Sequence, residues 1–586
     1  IKNIDFISIN YLKGFTTDVD KVSINIDFEN YNQLNLWRLE ALEKYSLRFI
    51  EHDYVSAELI HANKSYPIDI RLKGSTASEH LSSNKWSFRV DMKNNFFYGM
   101  NNFSLMAPER RMTLMEWFFR KALYREGIIE KKFDFIRVNL NGEDLGIYSI
   151  DEGLEKTMIE RNKRREGPII RLDRDPIWIE KAAFTLEPKD WDHYYYSAEV
   201  IGVNMKKIML NEFLYNNYIR GKYLFDSFRN GSLSVKQVFD IEMLAKYMAI
   251  NNIFDSWHGA LIFNLNFYYN PITDKLEPIP DDNYGETLKW TSKDMNYIDE
   301  FSKQLVNDLD FAELYLKELE LKSQKKYLDK IFYDLEEEIM NKEKIIHIDN
   351  LLYKFPKEDI YKLQSEVRES LESLNSIIAY FEIQNNDNEI ILYTSALKSR
   401  YPIELIKVID KNGSIFIPKN KIIITKNKNK NLEFNKTFFF KKESSTGNMA
   451  SNYRLIYKIL GTEKELQYKL KIGNNIQDKK IYFDNSIEDL IKFKFLEIDK
   501  TNKIISIKKG KWLIEKDIII PKNYELHVDS GTIFDLVNYS AIVSYSPVFF
   551  NGEMGKSILV KSSDKTGQGL VVLNTNDKQS RINYTT

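Results

Sequence analysis

Between Tyr54 and Val90 apolar residues alternate with polar ones, at Val55-Ala57-Leu59, Ile68-Ile70-Leu72 and Trp86-Phe88-Val90. A period of two belongs to half-buried strands, and the segment predicts a small antiparallel sheet. From Pro108 to Gly127 the period lengthens: Met112, Met115, Phe118 and Leu123 fall near helical spacing, with Gly127 as the stop. Phe133 to Ile150 returns to alternation in two runs joined at Asn141-Gly142, a hairpin signal because both turn residues tolerate positive φ. Val238 to Phe254 predicts a helix, and Phe263–Tyr269 with Leu276–Ile279 predicts two strands about an Asn270-Pro271 turn. Ser292 to about Glu382 is charged and heptad-like, as in Leu314-Leu316-Leu319-Leu321 and Leu371-Leu374-Ile377-Ile378, and predicts two or three packed helices.

Past Gln384 the chain changes to short β-rich runs between Gly, Asn and Lys, so a domain boundary is expected near residue 385. Beyond residue 500 the runs Ile504-Ile505-Ile507, Ile518-Ile519-Ile520, Leu526-Val528, Val548-Phe550 and Leu570-Val572 recur with turns between them. Many short, regularly spaced strands suit a sandwich or a parallel β-helix, and Ser544-Tyr545-Ser546-Pro547 to Gly567-Gln568-Gly569 resembles the coils of right-handed β-helix proteins. The expected division is a lead-in over 1–65, an α+β domain with a helical extension over 66–385, a β-rich linker over 386–495 and the start of a β-helix over 496–586.

A chain of 586 residues is too long for one core and predicts about three to five domains. The 84 basic side chains against 85 acidic ones leave no net charge that would mark a nucleic-acid partner. With no cysteine, thiolate metal sites and cysteine nucleophiles are excluded, and seven histidines make a zinc cluster a poor expectation. Chemistry must then use carboxylates, lysine, hydroxyls or an oxygen-bound metal. No apolar run of about 18 residues is present, so no transmembrane segment is expected in this chain. The start at Ile1 reads as a piece of something longer or processed. The richness in Ile, Lys and Asn looks like an AT-rich bacterial genome, and fits a cell-surface or envelope setting as well as any other.

Three constellations could carry chemistry. Arg71-Leu72-Lys73-Gly74-Ser75-Thr76, followed by Lys85-Trp86-Ser87-Phe88-Arg89, joins two basic strands through a small-residue turn that could grip a phosphate, or could be a solvated strand face. Glu152, at the end of Gly146-Ile147-Tyr148-Ser149-Ile150-Asp151, could hold Lys85 toward that phosphate, or could serve the dipole of the following helix. Asp255 after an apolar helix, Asn266 on a strand and Asp281-Asp282 after its partner strand would bring oxygen ligands to one edge. That set suits magnesium, a calcium site or polar loop caps.

In this order, Arg-x-Lys-Gly-Ser, Lys-x-Ser-Phe-Arg, Asn-Gly-x-x-x-Gly-x-Tyr-x-x-x-Glu, the helix ending in Asp255, Asn-x-Phe-Tyr-Tyr-Asn-Pro and Pro-Ile-Pro-Asp-Asp resemble the CotH spore-coat kinase family over residues 66 to 290. The resemblance implies an atypical protein-kinase-like α+β fold that binds ATP and Mg2+ and phosphorylates proteins. Lys85, with Arg71, would then contact the nucleotide phosphates, Glu152 would orient Lys85, and Tyr148 would border the adenine. Asp255 would be the catalytic carboxylate, and Asn266 with Asp281 or Asp282 would bind metal. The family's Trp-Asp-x-Asp is here Pro280-Asp281-Asp282, and no glycine-rich phosphate loop is present, leaving Gly74-Ser75-Thr76 as its stand-in. The expected acceptor is a protein or a surface polysaccharide. Nucleotidyl transfer, acyl activation and ligation such as glutamylation, and an inactive kinase-like surface-binding protein are the alternatives.

Overall fold

The computed structural model describes residues 2–177, 191–283, 299–372, 378–384, 388–395, 401–425, 435–443, 453–472, 487–538, 540–573 and 579–586. The chain divides into two compact units, one holding residues 1–373 with 459–463, the other 374–458 with 464–586.

Seven strands of the first unit close into a barrel that contains the small antiparallel sheet expected from the sequence as its second to fourth strands: β1 (Lys21–Asn25), β2 (Val55–His61), β3 (Lys64–Leu72), β4 (Phe88–Asp91), β5 (Asn102–Met106), β6 (Phe133–Leu140) and β7 (Glu143–Glu152). Closure comes from β1, which pairs antiparallel with β2 and parallel with β6. Residues before 66 thus supply two staves of the barrel. Ile68, Ile70 and Leu72 of β3 point inward with Phe88, Val90, Tyr148 and Ile150, which sends Arg71 and Lys73 outward. The β6–β7 hairpin turns at Asn141 (φ 48°) and Gly142 (φ 90°), as the asparagine-glycine pair predicts.

A second sheet holds β8 (Ile169–Leu172), β9 (Val200–Gly202), β10 (Asn266–Asn270) and β11 (Lys275–Ile279), in the order β11-β10-β8-β9. Around these sheets stand α1 (Phe28–Glu43), α2 (Leu114–Arg125), α3 (Glu212–Arg229), α4 (Ile241–Ile253), α5 (Glu300–Asn307), α6 (Leu309–Ser323), α7 (Lys325–Ile346) and α8 (Lys357–Glu372). The helix expected from Pro108 starts only at Leu114, because Met112 (φ 52°) and Thr113 (φ 53°) turn the chain out of a preceding 3-10 turn. α4 is capped by Asp240, whose side chain accepts from the Met243 amide, and is buried on nearly every side. Among the described residues the expected two or three helices after Ser292 are four, α5 to α8, the last of them Lys357–Glu372. Ile378 to Gln384 is a strand, and Tyr284-Gly285, the start of the run at Ser292, Leu374 and Ile377 lie outside the described residues.

The second unit contains a nine-stranded sheet built from residues 378–472, with its own core around Ile390, Leu392, Val408, Phe439 and Tyr457. Its remainder is a stack of three sheets that the chain visits in turn. Ile504–Ile507, Glu525–Asp529, Val548–Asn551 and Arg581–Asn583 pair in parallel, as do Lys511–Ile514, Ile533–Leu536 and Leu559–Lys561, and likewise Ile518–Ile520, Ala541–Ser544 and Gly569–Val572. Isoleucines 505, 507, 514, 518, 520 and 542 fill the space between them.

Candidate active site

The outer face of β3 and the turn after it form one wall of a cavity of about 770 Å3, lined also by β4, by the end of β8 and by the segment after β11. Lys73 donates its amide to Ser87 O (2.8 Å), which ties the turn to the approach of β4. Gly74 sits at φ 120°, and a Cβ there would lie 2.4 Å from the His80 Cβ, so conformation and space both demand glycine. Burial, reinforced by the charges of Arg111 and Lys73, lowers the His80 pKa to about 3, and its Nδ1 lies 3.0 Å from Ser87 Oγ. His80 is a neutral imidazole bracing this wall.

From Asp281 and Lys131 at the cavity floor a run of buried charges leads inward. Asp281 Oδ1 accepts from Lys131 Nζ (2.6 Å), and the same ammonium reaches Asp151 (3.1 Å). Asp151 in turn accepts from Arg120 Nη1 (2.8 Å) on α2, and Arg120 pairs with Glu116 (2.7 Å). Burial would raise both aspartates, but Arg120 and Lys131 around Asp151, and Lys131 and Arg111 around Asp281, outweigh it and hold both carboxyls well below their usual range. Lys73 stands deep in the wall with its Nζ 3.4 Å from Met106 Sδ; burial, then the charge of Arg111, lowers its pKa well below the ordinary lysine value.

Beside Asp281 lies Asn266 of β10, fully buried, its Nδ2 3.5 Å from Asp281 Oδ2. Its Oδ1 has no hydrogen-bond donor among the described residues. A buried carbonyl oxygen left without a donor, next to a carboxylate, is the donor chemistry a hard cation uses, and magnesium asks for only one or two such protein ligands. Among the described residues no three His, Cys, Asp or Glu side chains gather around a metal position, so the fit rests on this carboxylate and amide pair.

The other sequence-predicted residues scatter. Arg71 lines the cavity, its Nη1 3.3 Å from His52 Nε2. Asp282 also lines it, but its carboxylate is ion-paired with Arg111, while its carbonyl lies 3.0 Å from His258 Nδ1. Between the two candidates only Asp281 faces Asn266. Asp255 follows α4 on a left-handed turn (φ 53°), half-buried, and does not itself line the cavity, whereas His258 three residues on does. A non-glycine residue held at positive φ marks stored backbone strain, which concentrates at functional sites.

Lys85 is not in the cavity wall. Its Nζ donates to Ile147 O (2.9 Å) and to Asp349 (2.5 Å), and Asp349 also accepts from the Ile147 amide (2.7 Å). Glu152, five residues further along β7 and so roughly 17 Å away, accepts from the Lys132 amide (2.8 Å) and pairs with Arg161. The expected Lys85–Glu152 pair is therefore not formed. Tyr148 is a core residue of the barrel and borders no part of the cavity. Alternation explains the miss: the strand that carries Glu152 to Arg161 carries its neighbour Asp151 to the floor. Lys73, Arg89 and Asp151 lay within the motifs already singled out, though none was given a role there, while Lys131, Arg111 and Arg120 gave no motif signal.

A strand barrel and a helical layer stand around a cation-rich cavity lined by the Asp281 carboxylate, with the Asn266 amide buried beside that carboxylate. A family model described as CotH kinase protein matches residues 70–395, more than half of the chain, and the chain belongs to that family. No curated protein matches it.

Proposed function

We propose that the protein transfers the γ-phosphoryl group of ATP, with magnesium, to a hydroxyl of a protein acceptor. The observation that carries this reading is Asn266 Oδ1, buried and without a donor, beside the carboxylate of Asp281 at the floor of the cavity. Asp281 and Asn266 would hold the metal, which when bound neutralises phosphate charge and fixes the phosphates in place. Lys131, Lys73 and Arg111 surround the same floor and supply the remaining positive charge, in the role first expected of Lys85. Asp255 stays the candidate for orienting and deprotonating the acceptor hydroxyl.

Mass spectrometry of the protein and candidate acceptors after incubation with ATP and magnesium tests this directly. Added phosphate is the expected outcome; added nucleotide would replace phosphoryl transfer with nucleotidyl transfer. Asp255→Asn should cut turnover by about two orders of magnitude or more while folding is retained, and unchanged turnover would move the base elsewhere. For the second unit, the stack of parallel sheets is read as a right-handed parallel β-helix serving recognition or tethering, with a surface polysaccharide as one candidate ligand.

A further inference from the structure

Arg171 and Arg174 are among the guanidinium groups of the cavity that this reading leaves without a role. Arg171 is the last residue but one of β8, and Phe267 pairs with Ile170 across β8 and β10, so one step further in this antiparallel register places Arg171 opposite Asn266. Arg174 follows on the next turn, its Nη1 3.2 Å from Asn264 Oδ1. The Nε atoms of both are buried with no acceptor among the described residues, and neither side chain has a carboxylate within ion-pair distance there. Three other cations of the lining are held in ion pairs: Lys131 by Asp281 and Asp151, Arg111 by Asp282, Arg48 by Asp175. Burial lowers both guanidinium pKa values, to about 10 in Arg174, where the neighbouring charge of Arg171 adds to it, and the Asp281 carboxylate offsets this only in part.

Leaving buried donors and charge uncompensated is costly unless something supplies the acceptors. The nucleotide phosphates have Lys73, Lys131, Arg111 and a metal at the floor. Two planar forks beside the metal position suit one more oxyanion, gripped in bidentate fashion. We propose, resting on the phosphotransferase reading above, that Arg171 and Arg174 form an acceptor subsite that selects peptides carrying an oxyanion, carboxylate or phosphate, next to the hydroxyl to be modified. The subsite is filled at the same time as the nucleotide site.

The test uses the full chain and four labelled peptides that share one serine and differ in flanking Glu, phosphoserine, Gln or Lys. Their binding is read by fluorescence anisotropy with and without saturating magnesium and AMP-PNP. The Glu or phosphoserine peptide should bind at least about tenfold more tightly than the Gln peptide, since charge-assisted hydrogen bonds outweigh neutral ones by that much; which of the two binds better identifies the oxyanion. Arg171→Gln with Arg174→Gln should abolish the preference while AMP-PNP affinity changes less than about threefold, a change too small to remove a phosphate contact. Should that double variant fail to fold, Arg174→Lys, which keeps charge but loses the fork, should show part of the loss. Equal binding of Glu, phosphoserine and Gln peptides overturns the proposal. So does displacement of AMP-PNP by the acidic peptides, which would give both arginines to the nucleotide. Failure of AMP-PNP to bind at all would sink the phosphotransferase reading instead, and the nucleotide-free arm would still decide the peptide preference.

Discussion

Two lysines of this chain look interchangeable by type and are opposite in consequence. Lys85 pairs with Asp349 at a half-exposed position, where an ion pair contributes about 0–1 kcal/mol. Lys131 stands between Asp151 and Asp281 with only 5% of its side chain exposed, and removing one partner of such a buried network costs about 3–5 kcal/mol. Lys85→Met should thus leave nucleotide binding and turnover near the parent values, with a small loss of stability by urea unfolding. Lys131→Met should lose both nucleotide binding and several kcal/mol. Asp281→Asn separates fold from function more cleanly: ATP should raise the melting temperature of the parent only with magnesium present, and should do nothing for the variant. His80 adds a pH signature. Its folded pKa of about 3 lies below the unfolded value of 6.5, so the unfolded chain takes up the proton first, and the stability present above pH 6.5 falls as pH drops toward 3. The slope is at most about 1.4 kcal/mol per pH unit. Urea midpoints measured from pH 7 to pH 4 should fall, and His80→Gln should flatten that part of the curve; an unchanged slope would mean that His80 is protonated in the fold.

At the scale of elements, local pattern was a good guide and pairing was not. The Asn141-Gly142 hairpin, the helix before Asp255 and the hairpin that places Asn266 across from Ile279 were all legible, because each is set by contacts close in sequence. The barrel was not, since its closure depends on β1 meeting β6 more than a hundred residues away, and no alternation in either strand names its partner. The same gap explains the site. Alternation says that Asp151 and Glu152 face opposite sides of β7, but only the helix packed outside, α2 with Arg120, decides which side holds the chemistry. The turn after β3 carries a prediction of its own. Gly74→Ala puts a side chain at φ 120° and into the His80 ring, so the turn must move away from the floor. Nucleotide affinity should drop while far-ultraviolet circular dichroism stays near that of the parent; unaltered affinity would show that Gly74-Ser75-Thr76 is no stand-in for a phosphate loop.

Over the whole molecule, a charge balance of 84 to 85 conceals a cavity whose walls are strongly basic, because the sum over the chain says nothing about where charges gather. The two compact units bury separate cores: the barrel interior in one, and in the other the Ile390–Phe439 sheet core and the isoleucine-filled stack. Stacked parallel strands bury their core against their own neighbours and need no other surface to fold. The composition change placed the boundary near 385, but Ile378–Gln384 pairs with Glu389–Ser395 inside the nine-stranded sheet, so a cut at 385 would strand its first member on the wrong piece. The break between Ser373 and Leu374 leaves that sheet whole. A chain ending at Ser373 should stay monodisperse, bind ATP with magnesium as the full chain does and modify a generic acceptor, while losing preference for its natural one. The segment 459–463 belongs to the first unit and would be missing, so a modest fall in melting temperature is expected with it. Loss of nucleotide binding in the truncated chain would show that the second unit completes the active site rather than serving it from outside.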